Sequence, residues 1–359
     1  MIQTKHMFRN MTQGMLCCFL AVHLTHAETN ETTGAAMKKP SQTEIALLYD
    51  DVFLQHRTGP GHPERPDRLK KTVARIREDQ DLVAKVTWPS FSPASKDAIG
   101  AVHTTNYIAL ARAETQAVEE GEFVQLSTGD TMLSSGTWDA AWMAAGGAMA
   151  AVDAVATGQH PAAFALVRPP GHHASADRGM GFCLFNNIAI AARHAQREYG
   201  IERVLIVDID VHHGNGTQDI FYEDDSVYFF CVHQHPLYPG SGRPTERGSG
   251  RGEGYTQNID LPAGAGDDDI LLALENKLLP AMETFQPQLI LVSAGFDGHG
   301  ADPLGGLQYT EQGYARMAGV LQDLAKRYAD GRIAFILEGG YDTTALADSI
   351  AAILQELAP

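Results

Sequence analysis

A series of short apolar runs, rich in Val and Ile and mostly continuous rather than alternating, most constrains how this chain can fold. Such runs are typical of strands that are buried on both faces of a parallel sheet. Six strands are predicted, at residues 45–49, 163–167, 204–211, 227–232, 289–292 and 333–337. Helical patterns separate several of them, at residues 140–157, 187–199 and 268–285. This alternation predicts an α/β domain with a mostly parallel sheet.

The first 43 residues differ from the rest of the chain. Lys5 and Arg9 precede an apolar run at residues 15–24 and then small residues, which is the order of a secretory signal. The alternative is that Met37 begins the product. We therefore predict a leader or signal peptide with a polar linker at residues 1–43, and a single catalytic domain at residues 44–359. The predicted location is cytoplasmic, or periplasmic or secreted if residues 1–27 are a true signal peptide.

Composition excludes several classes of protein. Forty-four acidic residues against 27 basic ones give a formal net charge of −17, which disfavours direct nucleic-acid binding. The sequence has no run of 18 apolar residues, so no ordinary transmembrane helix is predicted. Four Cys in a chain of 359 residues exclude a disulfide scaffold. These features favour an acidic enzyme and are compatible with a homo-oligomer.

Polar side chains follow four of the predicted strands, where ligands bind in open α/β sheets. The segment Asp208-x-Asp210-x-His212 predicts three side chains on one face of a strand. Buried there, they would need a cation or hydrogen-bonding partners. Asp210 and His212 are predicted metal ligands, and Asp297 is the best third. Three protein ligands leave one position open, as catalytic zinc requires. The alternative is a hydrogen-bonded polar cluster.

Two further strand ends carry groups suited to catalysis. His172 and His173 follow Pro-Pro-Gly, which breaks the strand so that both imidazoles can face one pocket. One of them could act as general base and acid near neutral pH. Tyr341 follows two glycines, and its phenol could donate a hydrogen bond to an oxyanion.

These motifs together resemble the zinc-dependent histone deacetylase and acetylpolyamine amidohydrolase family. The matching segments are Arg168-Pro-Pro-Gly-His-His-Ala174, Gly181-Phe-Cys-Leu-Phe-Asn-Asn187, Asp208-Ile-Asp-Val-His-His-Gly-Asn-Gly-Thr217, Ser293-Ala-Gly-Phe-Asp297 with Asp302-Pro-Leu-Gly305, and Glu338-Gly-Gly-Tyr341. The segment His62-Pro-Glu-Arg-Pro-Asp-Arg68 resembles its class II branch. The resemblance implies the arginase–deacetylase fold, a three-layer α/β/α sandwich, for a deacetylase domain running from residue 44.

The resemblance also assigns catalytic roles. It implies that Asp210, His212 and Asp297 bind Zn²⁺; their two carboxylates also suit Fe²⁺. His173 would be general base and then acid, supported electrostatically by His172. Asp208 would orient His172, Asn215 would orient His173, and Tyr341 would donate to the carbonyl oxygen.

Further implied sites bind substrate and potassium. Phe182, beside Gly181, would form a wall of the acyl-lysine channel, and Asp130 would bind substrate backbone at the rim. A structural K⁺ would lie at Asp208 and the main chain around His212 and Cys231. Cys231 stands where the family usually has a serine, so its side chain is a doubtful ligand.

The predicted function is removal of acetyl or other acyl groups from lysine side chains of proteins or peptides. Leu304 supports this, because it stands where polyamine-specialised relatives carry a glutamate that pairs with a distal ammonium. The alternative is a deacetylase of acetylated polyamines or other small acetylated amines. A remote alternative is a catalytically silent module that binds acyl-lysine.

Overall fold

The computed structural model describes residues 43–358. The predicted leader and linker fall on residues 1–43 and so lie almost wholly outside the described residues. No helix among the described residues is long and apolar enough to cross a bilayer.

Ten strands are present in the described residues, and eight of them form one sheet. In chain order they are β1 Ile45–Leu48, β2 Val86–Thr87, β3 Val124–Gln125, β4 Met132–Leu133, β5 Ala163–Ala165, β6 Val204–Asp208, β7 Val227–Gln234, β8 Thr256–Leu261, β9 Leu289–Ala294 and β10 Ile333–Leu337. The large sheet has the order β2-β1-β5-β10-β9-β6-β7-β8, and all its pairings are parallel. β3 and β4 form a separate antiparallel ribbon.

Eleven α-helices accompany these strands in the described part of the chain. They are α1 Asp67–Glu78, α2 Gln80–Val83, α3 Lys96–Gly100, α4 Thr105–Gln116, α5 Thr137–Ala156, α6 Asn187–Tyr199, α7 Asn215–Phe221, α8 Asp267–Ala273, α9 Leu279–Phe285, α10 Glu311–Tyr328 and α11 Thr343–Leu357. A π-helical turn at Leu274–Leu278 joins α8 to α9. Helix α5 packs against α6 in one layer, while α1, α10 and α11 pack together in another. The sheet lies between them in an α/β/α sandwich.

Burial explains which strands the sequence could predict. Every residue of β1, β5, β6, β7, β9 and β10 is buried, as expected for continuous apolar runs. β8 was missed because it is an edge strand whose Thr-Gln-Asn-Ile-Asp-Leu sequence alternates and is only partly buried. Helix α6 has its predicted bounds: the Asn186 side chain caps its start, and Gly200, at φ +63°, ends it.

One strand prediction is wrong in a way that affects the site. The predicted strand at residues 204–211 ends at Asp208, so Asp210 and His212 do not lie on a strand face. The turn forms because the Asp208 side chain accepts a hydrogen bond from the main-chain N–H of Asp210, at 3.2 Å.

Candidate metal centre and active site

The four strands that precede the predicted site residues are neighbours in the sheet. They lie in the order β5, β10, β9, β6, and all run in the same direction. Their carboxyl ends therefore meet at one edge, where the loops carry His172 and His173, Tyr341, Asp297, and Asp210 with His212. The sheet order, which the sequence did not predict, is what brings these loops together.

Asp210, His212 and Asp297 form a compact group with one donor atom each, all within 4.8 Å of one another. His212 Nδ1 lies 3.0 Å from Asp210 Oδ1 and 3.1 Å from Asp297 Oδ2. Both carboxylates are buried, and the His212 side chain is 12% exposed. The group is therefore enclosed by protein and open on the imidazole side.

The chemistry and spacing of this group fit a divalent metal ion. Donor atoms on one tetrahedral zinc ion, each about 2 Å from it, lie about 3.3 Å apart. The two measured separations from His212 Nδ1 are close to that value. At Gly339, a Cβ atom would lie 2.2 Å from Asp297 Oδ2 and 2.6 Å from Asp210 Oδ2. Only glycine there leaves both carboxylates in place.

Electrostatics at the group indicate a place for positive charge. Burial and the neighbouring Asp210 carboxylate raise the pKa of Asp297 to about 7. Burial alone would lower the pKa of His212, but hydrogen bonds to Asp210 and Asp297 raise it to about 10. Two buried carboxylates thus share a single imidazole, and a cation would relieve their repulsion.

His172 and His173 lie side by side, with ring centroids 4.0 Å apart. His172 Nδ1 lies 3.0 Å from Asp208 Oδ2, and His173 Nδ1 lies 2.8 Å from Asn215 Oδ1. The Asn215 amide nitrogen faces the main-chain oxygen of His173, which supports this orientation of the amide. Because an amide oxygen only accepts, His173 Nδ1 carries the proton and Nε2 keeps its lone pair.

The surroundings shift the pKa values of the two imidazoles in opposite directions. Burial lowers the pKa of His172, but the charges of Asp210 and Asp208 outweigh burial and raise it well above the usual value. Burial and the positive charges of His172 and His212 hold the pKa of His173 well below its usual value. These shifts favour the protonated form of His172 and the neutral form of His173.

Tyr341 is buried beside the metal group. Burial and the Asp297 charge raise the pKa of its phenol, which keeps the hydroxyl protonated. The hydroxyl makes no hydrogen bond within residues 43–358, so it can donate to a ligand. The Tyr341 N–H donates to Asp302 Oδ2 at 2.5 Å, and the Arg68 guanidinium lies 5.1 Å from the ring centroid.

The predicted substrate-binding residues are connected to the loops of His173 and Tyr341. The Phe182 ring is perpendicular to that of Tyr341, with centroids 5.9 Å apart. At Gly181, with φ +57°, a Cβ atom would lie 2.1 Å from the His173 ring. Asp130 accepts the Gly181 N–H at 2.6 Å. Leu304, half-buried, is linked to the Tyr341 loop through Asp302, which also accepts the Leu304 N–H at 3.0 Å.

Sequence reasoning missed several residues around the site. The Tyr238 ring lies 5.2 Å from the His173 ring, and its hydroxyl donates to Asp130 at 3.3 Å. His62 packs against Phe182, with ring centroids 4.7 Å apart. Tyr238 follows β7, so the strand-end rule could have found it. His62 and Arg68 lie in a segment used for the resemblance without a role being assigned.

Comparisons with known proteins show which family and which solved structures this chain resembles. Residues 62–357 match the family described as the histone deacetylase domain. The chain is 42% identical to histone deacetylase 10, chloroplastic, of Oryza sativa, over 93% of this chain and 80% of that protein. It is 39% identical to polyamine deacetylase HDAC10 of Homo sapiens, over 88% of this chain and 46% of that protein. The solved HDA15 HD domain superposes with a TM-score of 0.82 at 36% identity, covering 88% of this chain and 89% of that one.

Proposed function

Because the chain belongs to the histone deacetylase family, we propose that it is a zinc-dependent hydrolase that removes acetyl groups from lysine side chains of proteins or peptides. The observation that carries this proposal is the position of the Asp210, His212 and Asp297 group beside the His172–His173 pair. The His173 and His212 ring centroids are 5.9 Å apart, so a metal ligand and a proton acceptor face the same space.

Different groups of the site would take different roles in amide hydrolysis. Bound zinc would polarise the amide carbonyl and lower the pKa of a water molecule. His173 Nε2 takes the proton of the attacking water and later gives it to the leaving amine. Tyr341 donates a hydrogen bond to the oxyanion that develops on the carbonyl oxygen. His172 stays cationic and supports that negative charge.

The identity of the ions is part of the proposal. Two carboxylates and one imidazole also suit Fe²⁺, so we propose that Fe²⁺ can replace Zn²⁺. A structural K⁺ is proposed at Asp208 and the main chain near His212 and Cys231. The Cys231 thiol lies 3.4 Å from His233 Nδ1, which supports leaving it out of the potassium ligands.

Leu304 favours acyl-lysine as the substrate. Its side chain is apolar and cannot pair with the distal ammonium of a polyamine, whereas it can line a channel for an aliphatic stem. Phe182, and Tyr238 beside the histidines, supply aromatic surface for the same stem. Asp130, which accepts the Tyr238 hydroxyl, is the residue that we propose accepts a hydrogen bond from the main chain of a bound peptide.

Acetylated polyamines are the second candidate. The net charge of −17 attracts polycations, and one relative is named as a polyamine deacetylase. Surface charge acts mainly on encounter, while a side chain at the channel acts on the bound pose, so we weight Leu304 more.

A deacylation panel tests the substrate. We expect kcat/KM for acetyl-lysine peptides to exceed that for N-acetylputrescine and N-acetylcadaverine. Leu304→Glu should shift the ratio towards the acetylated polyamines, and Leu304→Gln is its uncharged control. If the wild-type protein prefers the polyamines by more than about tenfold, or ~1.4 kcal/mol in transition-state binding, the lysine proposal fails.

Tyr341→Phe removes one hydroxyl from the site. We expect kcat to fall about 10²–10³-fold, the usual loss of one oxyanion donor, with bound metal unchanged. Steady-state kinetics on the preferred substrate measure this. Tyr309→Phe is the matched control, because that buried hydroxyl has no partner among the described residues. A change in kcat below about threefold for Tyr341→Phe would show that the phenol is not the donor.

A further inference from the structure

The Glu338 carboxyl group lies at the centre of the site edge and has no role in the proposed chemistry. It is fully buried at the end of β10, which lies between β5 and β9. Its Oε2 accepts the N–H groups of Gly171, at 2.6 Å, and His172, at 3.1 Å. Its Oε1 accepts the Ser293 hydroxyl, at 3.1 Å. The side chain thus connects the end of β9, at Ser293, to the loop that follows β5.

The sequence of the histidine loop makes this contact important. Pro169 and Pro170 have no N–H, so Gly171 and His172 are the first main-chain donors after them. Both donors end on one oxygen of Glu338. Buried main-chain N–H groups need a partner, and Glu338 is theirs. Without Glu338, the loop would lose both of these hydrogen bonds at the point where the histidines begin.

We propose that Glu338 is a positioning residue that fixes the His172–His173 pair against the metal group by accepting the Gly171 and His172 N–H groups. This inference rests on the proposed role of His173 as proton acceptor. His173 Nε2 must face the substrate while Nδ1 stays on Asn215, and the peptide units held by Glu338 set the direction of both rings. Glu338 itself exchanges no proton with substrate.

The role is geometric rather than one of charge. A single oxygen accepts both N–H groups, and an amide oxygen could do the same. The amide nitrogen of a glutamine would then face the Ser293 oxygen, which can accept as well as donate. Glutamine can therefore keep all three contacts, whereas methionine, of similar volume, can keep none.

The test compares Glu338→Gln with Glu338→Met. For Glu338→Met we expect kcat per bound metal to fall about 10²-fold, the scale of a misplaced catalytic group. KM and metal content should stay within about threefold of the wild type. Glu338→Gln should keep kcat within about threefold. Ser293→Ala is the matched control: it removes one contact of the carboxyl group but leaves the loop bonded, so kcat should be nearly unchanged.

Each possible result supports or contradicts the proposed positioning role of Glu338. If Glu338→Gln loses as much kcat as Glu338→Met, charge and not position is what matters, and the inference is wrong. It is equally wrong if Glu338→Met keeps normal turnover per bound metal. If Glu338→Met does not fold, the result for Glu338→Gln still decides. All variants are assayed on the acetylated substrate that the wild type prefers. If the proposed lysine substrate is wrong, the substrate preference of the wild type shows it, independently of the result for Glu338.

Discussion

Asp297→Ala is expected to abolish hydrolysis and to lower bound zinc. Asp297 supplies one of three donor atoms, and its replacement leaves only Asp210 and His212 for the ion. Catalytic zinc sites use three protein ligands, so we expect less than about a tenth of the wild-type metal content. We expect kcat to fall at least about 10³-fold. Asp210→Ala and His212→Ala should behave alike. Metal analysis after dialysis and steady-state kinetics measure the two effects.

Loss of metal must be separated from loss of fold. Removing Asp297 also deletes the acceptor of the Val211 N–H, a bond of 2.9 Å. Asp297→Asn keeps the shape of the side chain and an oxygen for that N–H, so it should fold while binding zinc less tightly. Asp323→Ala, which removes an exposed carboxylate paired with Lys326, is the control and should keep full metal. Full zinc in folded Asp297→Ala would show that the site is wrongly assigned.

The metal group could be predicted from the sequence because it depends on a general property of parallel sheets. Continuous apolar runs located β6, β9 and β10, and polar residues directly after them had to share one edge. That argument places these residues at one edge of the sheet, and the order of the strands then makes them neighbours. It was wrong in detail at β6, where the strand ends at Asp208 and a turn, not a strand face, presents Asp210 and His212.

Side chains that accept hydrogen bonds from main-chain N–H groups of other loops could not be predicted in this way. Glu338 and Asp302 stood in recognised motifs, but their partners are N–H groups of other loops, on Gly171 and Tyr341 for example. Every non-proline residue carries such a donor, so the sequence contains no signal that pairs a given carboxyl group with a given peptide unit. Tyr238 is different, because it follows a predicted strand and the rule that ligands bind beyond the carboxyl ends of strands applies to it.

His173→Ala is expected to be much more damaging than His172→Ala. Asn215 fixes the proton of His173 on Nδ1, which leaves the lone pair of Nε2 free to accept a proton. His172 is held by Asp208, whose charge raises its pKa, so we expect it to contribute charge and to take no proton. We expect kcat to fall about 10²–10⁴-fold in His173→Ala, the usual contribution of a general acid and base. A loss of about tenfold is expected in His172→Ala. Steady-state kinetics, corrected for bound metal, measure both.

Comparing His173→Ala with His172→Ala tests where the base lies as well as which kind of side chain acts. The two imidazoles are adjacent and have different hydrogen-bond partners, Asn215 and Asp208. His194→Ala is the control: this imidazole is also paired with a carboxylate, Asp153, but lies on α6 away from the site edge. It should leave kcat unchanged. Near-normal turnover of metal-loaded His173→Ala would remove His173 from the proton transfer. A larger loss in His172→Ala than in His173→Ala would reverse the two roles, and the direction of the Asn215 amide would then no longer identify the base.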